Sequence, residues 1–200
     1  MIDRDLDLVT ADGVMNTFVT HPEEGGPFPV VFFYMDAPGK REELHDMARR
    51  IGTAGYYVVL PNLYYRSTRE FDLITMPNGE TREQMFELMH GLGDRMVARD
   101  TATMFELVDA DPHADASRIG CVGYCMSGPF AIWSAAEHAD VVRSAASFYG
   151  VRLHGDASDS PHRRLAEVRG EVYVAAAEHD TYVPLDMVDR FEAALQETCL

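Results

Sequence analysis

The sequence predicts an α/β sandwich with a mostly parallel sheet and antiparallel strands at its N-terminus, on three observations. Continuous apolar runs at residues 30–34, 56–60, 119–122 and 172–177 have the makeup of strands covered on both faces. Amphipathic helical stretches separate them, and strand–helix–strand within about thirty residues is a βαβ unit with parallel pairing and a right-handed crossover. Ahead of the first run, residues 2–10 and 13–20 read as two strands around Ala11-Asp12-Gly13, where Asp-Gly signals a hairpin.

The elements follow in order. Residues 20–29 are a loop rich in Gly and Pro, and the strand at 30–34 comes next. The stretch 41–54 is helical, with Leu44, Met47, Ala48 and Ile51 on one face, and Gly55 ends it. Pro61 stops the strand at 56–60. Residues 62–80 are irregular, with a turn at Asn78-Gly79. Two helices follow, 81–90 and 95–109, the second carrying Val97, Thr101, Met104 and Val108 on one stripe. After the strand at 119–122, a helix runs from Pro129 to about Ala139. A short strand at 144–149 leads to a polar excursion, 151–169, holding a short helix. The strand at 172–177 comes next, and Pro184 then opens a helix bearing Met187, Val188, Phe191 and Leu195.

Composition excludes several classes. The chain has 200 residues, enough for one well-buried core and short for two domains. A net charge of −16 argues against nucleic acid, whose phosphates require clustered Lys and Arg. No apolar run approaches the ~20 residues needed to span a bilayer, and Met1-Ile2-Asp3-Arg4-Asp5 opens no signal peptide. Three cysteines without framework spacing fit a reducing compartment, so a cytoplasmic location is expected. No His/Cys cluster has zinc spacing, no phosphate-binding glycine motif occurs, and neither a metal nor a cofactor is expected.

The stretch with the most chemistry is Gly123-Tyr124-Cys125-Met126-Ser127-Gly128, between an apolar strand and a helix. A sharp strand-to-helix turn with small residues two before and two after one reactive residue is the nucleophile-elbow pattern. Gly123 and Ser127 are those small residues, and Cys125 is the nucleophile. A thiol at a helix N-terminus has its thiolate favoured. Five residues alone fit a buried structural cysteine as well. The strand–elbow–helix context favours the nucleophile, and a shifted frame with Ser127 reacting would place Cys125 where glycine is wanted. Two more strand-end loops carry acids: Met35-Asp36-Ala37, and Glu178-His179-Asp180. Ligands bind beyond the carboxyl ends of strands in such sheets. Singly, Asp36 fits a turn residue and Asp180 a helix cap about as well as a functional role.

With these loops in place, the chain resembles the dienelactone hydrolase family of α/β-hydrolases. The resemblance rests on Met35-Asp36 through Gly39, Gly55-Tyr56, Pro61-Asn62-Leu63-Tyr64, the Gly-Tyr-Cys elbow, and Glu178-His179-Asp180 followed by Val183-Pro184, from about residue 30 to 198. It implies a single α/β-hydrolase-like domain over residues 1–200. It also implies a Cys–His–Asp triad that cleaves a small-molecule ester or lactone through an acyl-enzyme, without a cofactor. Cys125 is then the nucleophile and Asp180 the acid that orients the histidine, with the Ala37 and Met126 N–H groups as the oxyanion hole. Asp36 stands where the family often has a glutamate touching the resting thiol, one methylene longer.

In the family the triad runs nucleophile, acid, histidine, and no histidine follows Asp180 in the 200 residues. The reading expects the family's last strand, its histidine and its final helix to be missing from this sequence. His179 adjoins Asp180 directly, His154 and His162 fall in the polar excursion, and His45 is expected to face solvent. None is expected to serve as base. Arg66, Arg69, Arg82 and Arg152 are candidates for holding a substrate carboxylate, against an ordinary solvated role for each. A non-catalytic α/β-hydrolase-fold protein is the alternative function, and a thiol redox protein using Cys125 a weaker one, lacking a resolving cysteine. Oligomeric state is open.

Overall fold

The computed structural model describes residues 1–198; Cys199 and Leu200 lie outside the described residues. Seven strands form one sheet in the order β1-β2-β4-β3-β5-β6-β7. β1 (Ile2–Thr10) and β2 (Gly13–His21) make the expected hairpin, and β2 pairs antiparallel with β4 (Tyr57–Pro61). The other strands run parallel: β3 (Phe28–Tyr34), β4, β5 (Ala114–Tyr124), β6 (Val142–Phe148) and β7 (Glu171–Ala175). All five residues of β4 are buried although their side chains alternate between faces, so the sheet is covered on both sides.

The helices fall where the apolar spacing put them. α1 (Glu42–Thr53) packs on β2 and β4 through Leu44 and Ala48. α2 (Arg82–His90) starts with a capping box, in which Thr81 Oγ1 accepts from Gln84 N–H and Gln84 Oε1 accepts from Thr81 N–H. α3 (Asp94–Ala110) buries the whole stripe of Val97, Thr101, Met104 and Val108. α4 (Gly128–Glu137) is buried along nine of its ten residues, as a helix apolar all round must be. α5 (Leu185–Glu197) buries Met187 and Phe191.

Two expectations change. β5 starts at Ala114, five residues before the apolar run, because Phe28 and Pro29 of β3 pair with Ala114 and Asp115 ahead of a register shift. The excursion 151–169 is polar in sequence, yet Leu153, Leu165 and Val168 are core residues, and a 3-10 helix spans Pro161–Glu167. A few apolar anchors suffice to seat an otherwise polar loop. β7 is the last strand on its side and pairs with β6 alone among the described residues, with Tyr173 exposed.

The topology reverses at β3. From β3 the chain crosses to β4 on one side, and from β5 to β6 on the other, so the loops after β3 and β5 part and leave a crevice between them. A buried polar node fixes the elements around it. Tyr34 Oη, at the end of β3, lies 2.8 Å from both Thr101 Oγ1 of α3 and Ser134 Oγ of α4. Replacing Tyr34 with Phe leaves two core hydroxyls short of a partner, a loss of about 1–3 kcal/mol. Urea unfolding should show a lower midpoint at unchanged slope; an unchanged midpoint would show that the node is not holding β3, α3 and α4 together.

Candidate active site

At the carboxyl end of β5 the chain turns through a single 3-10 turn, Cys125–Ser127, into α4. Cys125 has φ +53, a left-handed conformation that non-glycine residues rarely hold. Two glycines make room for it. A Cβ on Gly123 would sit 2.1 Å from the Ser127 carbonyl oxygen, and one on Gly128 would sit 2.5 Å from Gly150 Cα. Ser127 does more than fit: its hydroxyl accepts from Tyr124 N–H at 2.9 Å and lies 2.9 Å from the Tyr34 carbonyl. A glycine there would turn as sharply and make neither bond.

Asp36 and Ala37 follow β3, and Asp180 follows β7. Both carboxylates act electrostatically on the Cys125 thiol, so the three strand ends meet at one site. Asp36 makes no hydrogen bond to the thiol. Arg41 holds it in a two-pronged pair, Nη1 to Oδ1 at 2.5 Å and Nη2 to Oδ2 at 3.1 Å. The side chain that would have to reach the sulfur is the shorter acid, and a guanidinium already occupies it. Asp180 is half-buried, and its Oδ1 accepts from Tyr182 N–H at 2.8 Å. It does not cap α5, whose first position is prepared by Pro184.

The thiol differs from the sequence expectation. Burial pushes the Cys125 pKa up; the Met126 backbone N–H works against this, and the Asp36 and Asp180 carboxylates add to the rise. α4 begins three residues after Cys125, so the sulfur lies outside its first turn and gains little from the helix dipole. Cys121 is fully buried, and burial holds its pKa at about 12.

Tyr64 is a site residue for which the sequence alone signals no role. Its hydroxyl donates to the Ala37 carbonyl at 2.9 Å and lies 3.4 Å from Met126 Sδ, clamping the β3 loop against the elbow. Asn62 supports it, accepting from Tyr64 N–H at 3.0 Å and donating to Asn16, Thr68 and Arg69. The Asn-x-Tyr spacing carries this only once the β4 loop is folded under the elbow.

Cys125 opens into a cavity of about 620 Å³ whose lining is mostly apolar, with Leu73, Met76, Met85, Phe86, Met89 and Val151. Arg82 and Arg152 line it and pair with no carboxylate among the described residues; Arg82 donates to Tyr182 Oη at 3.3 Å. Arg66 is committed to Asp12 and Asp100 at 2.8 and 2.7 Å, and Arg69 to Asp7 at 2.8 Å, so neither faces the site. Burial raises the pKa of Asp94, at the start of α3, to about 7, with Arg152 opposing and Asp159 adding to the shift.

The histidines divide in a way the sequence did not signal. His45 does not face solvent: it stacks on Phe18 with centroids 4.2 Å apart and does not line the Cys125 cavity. His154 and His162 stack on each other at 3.8 Å, and His179 is exposed. Among the described residues only His90, the last residue of α2, lines the cavity that holds Cys125, and its choice of side was not readable from chain position.

Residues 15–199 match the dienelactone hydrolase family. The chain belongs to that family. A relative from Methylorubrum extorquens, "Putative carboxymethylenebutenolidase", is 28% identical over 100% of this chain and 68% of its own length. A protein of the same name from Escherichia coli K12 is 25% identical over 91% of this chain and 66% of its own. This chain therefore spans about two thirds of the length of these relatives. A solved structure from Klebsiella pneumoniae, "Putative Dienelactone Hydrolase", superposes with a TM-score of 0.86 at 22% identity, over 99% of this chain and 81% of that one. A dienelactone hydrolase-like promiscuous phosphotriesterase from metagenomic libraries follows at a TM-score of 0.80 and 16% identity, covering 100% of this chain and 78% of that one. The likeness confirms the α/β-hydrolase fold. No helix among the described residues is long and apolar enough to cross a membrane, and no group of three metal-ligating side chains occurs among them.

Exposure and burial set the thiol reactivities apart. In iodoacetamide labelling read by mass spectrometry, Cys125 should react faster than Cys121 at every pH below 10, with a rate that climbs through the alkaline range. Asp36→Asn should lower the apparent pKa of Cys125, because it removes a negative neighbour and frees Arg41. A thiol titration unmoved by that substitution would show that Arg41 already cancels the Asp36 charge.

Proposed function

We propose that the protein is a carboxylic ester hydrolase of the dienelactone hydrolase type, cleaving an ester or lactone through a Cys125 acyl-enzyme. The single observation that carries this reading is the strained elbow itself. A cysteine held at φ +53, against glycine packing with no room for a Cβ, opens its sulfur into a large apolar cavity. Strain of this kind, on the order of 1–3 kcal/mol, clusters at functional sites. The thiol would attack the acyl carbon as thiolate, and the Ala37 and Met126 N–H groups would meet the oxygen on which charge develops. Asp180 would orient a cationic partner, and Arg82 and Arg152 would receive an anionic group of the substrate.

With the thiol pKa raised and no histidine beyond Asp180 in the sequence, the 200 residues should turn over p-nitrophenyl acetate feebly, since general acid–base assistance is typically worth ~10²–10⁴ in rate. Whatever turnover is seen should vanish in Cys125→Ala, and activity that survives this substitution would refute the nucleophile. His90 supplies the second reading, because it shares the cavity. His90→Ala is expected to change the rate by less than about threefold; a fall of ~10² or more would make His90 the base.

A further inference from the structure

A second cavity, of about 490 Å³, opens between α3 and α4, and nothing described so far uses it. Trp133 of α4 lies against it beside Ala98 and Ala102 of α3, whose small side chains leave the space open. Its charged lining is Arg95, Arg99 and Arg164 with Glu137. In a chain with 33 acidic and 17 basic residues, three guanidinium groups facing one carboxylate is an inversion of the surrounding charge. Arg164 already holds Glu137 and Glu167 in ion pairs, which cancels the acid and fixes this wall.

The other two arginines are not spoken for. Arg95 makes no hydrogen bond and no ion pair among the described residues, and Arg99 reaches only Asp12, at 3.9 Å. They stand one turn apart on α3, where like charges oppose one another. Trp133 is 3% exposed, and its Nε1–H is buried without an acceptor among the described residues, although a buried indole N–H ordinarily has one. The guanidinium carbons of Arg95 and Arg164 lie 6.0 and 4.7 Å from the indole centroid. Burial pushes down the pKa of His138, at the cavity edge, and its Nε2 lies 3.4 Å from the Ala98 carbonyl.

We propose that this cavity is a second ligand site, separate from Cys125, for a small organic carboxylate carried on an apolar, planar body. The carboxylate would lie between the Arg95 and Arg99 forks, which match its two oxygens, and would relieve their mutual repulsion. The planar body would pack beside the Trp133 indole over the two alanines. Inorganic phosphate brings the charge without the body, and a neutral amide brings the body without the charge.

Trp133 is the only tryptophan of the chain, so its emission reports on this cavity alone. The experiment titrates the protein with benzoate, benzamide and inorganic phosphate at fixed ionic strength. Benzoate should change the emission saturably, benzamide should not, and phosphate should bind at least several-fold more weakly. Arg95→Ala should weaken benzoate roughly tenfold, the scale of one lost charge-assisted pair, with its thermal unfolding midpoint unchanged because the side chain is exposed. Cys125→Ala should leave the titration as it is, which separates this site from the hydrolytic reading. Non-saturating quenching by benzoate, benzamide as effective as benzoate, or an Arg95→Ala titration identical to the unmutated one would each overturn the proposal.

Discussion

A left-handed backbone at Cys125 is the constraint on which the rest of the site depends. A residue with a Cβ resists that conformation, so it persists only where the surroundings leave no alternative. Here three contacts remove the alternatives. Gly123 lies so close to the Ser127 carbonyl that no side chain fits, Gly128 meets Gly150, and the Ser127 hydroxyl bridges Tyr124 and the end of β3. The turn is thereby tied to β3, β5 and β6 at once. Its strain, small beside the burial of α4, is carried by a helix with nine of ten residues in the core.

From this turn the electrostatics follow. The sulfur is half-buried near two carboxylates and opposed to them by a backbone N–H, so its resting form is the thiol. Arg41 changes the meaning of Asp36. A carboxylate in a bidentate pair is a weaker acceptor for a neighbouring proton and a better-fixed one, and it ties the β3 loop to the start of α1. Tyr64 adds a second tie from the β4 loop. The site is thus assembled by polar contacts between loops, on a scaffold whose own cohesion is apolar.

Much of the fold was legible because burial on both faces leaves a mark that needs no partner to be read. The runs at 30–34 and 56–60 are apolar throughout and became β3 and β4, and the stripe Val97-Thr101-Met104-Val108 is buried to the last residue. Where the structure differs, contacts with residues far away in the chain are the reason. The residues 114–118 carry no strand pattern and extend β5 only because the start of β3 lies beside them. The loop 151–169 looked solvated by composition, and three apolar side chains decided otherwise.

The sequence by itself determined the sheet, the elbow, and the membership of Cys125, Asp36 and Asp180 in strand-end loops. Each is a matter of local spacing or of order along the chain. Only the tertiary structure decided which arginines are already paired, that Asp36 belongs to Arg41, that His45 packs on Phe18, and that His90 shares a cavity with Cys125. These depend on distances between residues far apart in sequence, and an ion pair or a shared cavity leaves no periodicity behind it. The same holds for Trp133, which reads as one more apolar residue of a buried helix until Arg95 and Arg164 are found over its ring.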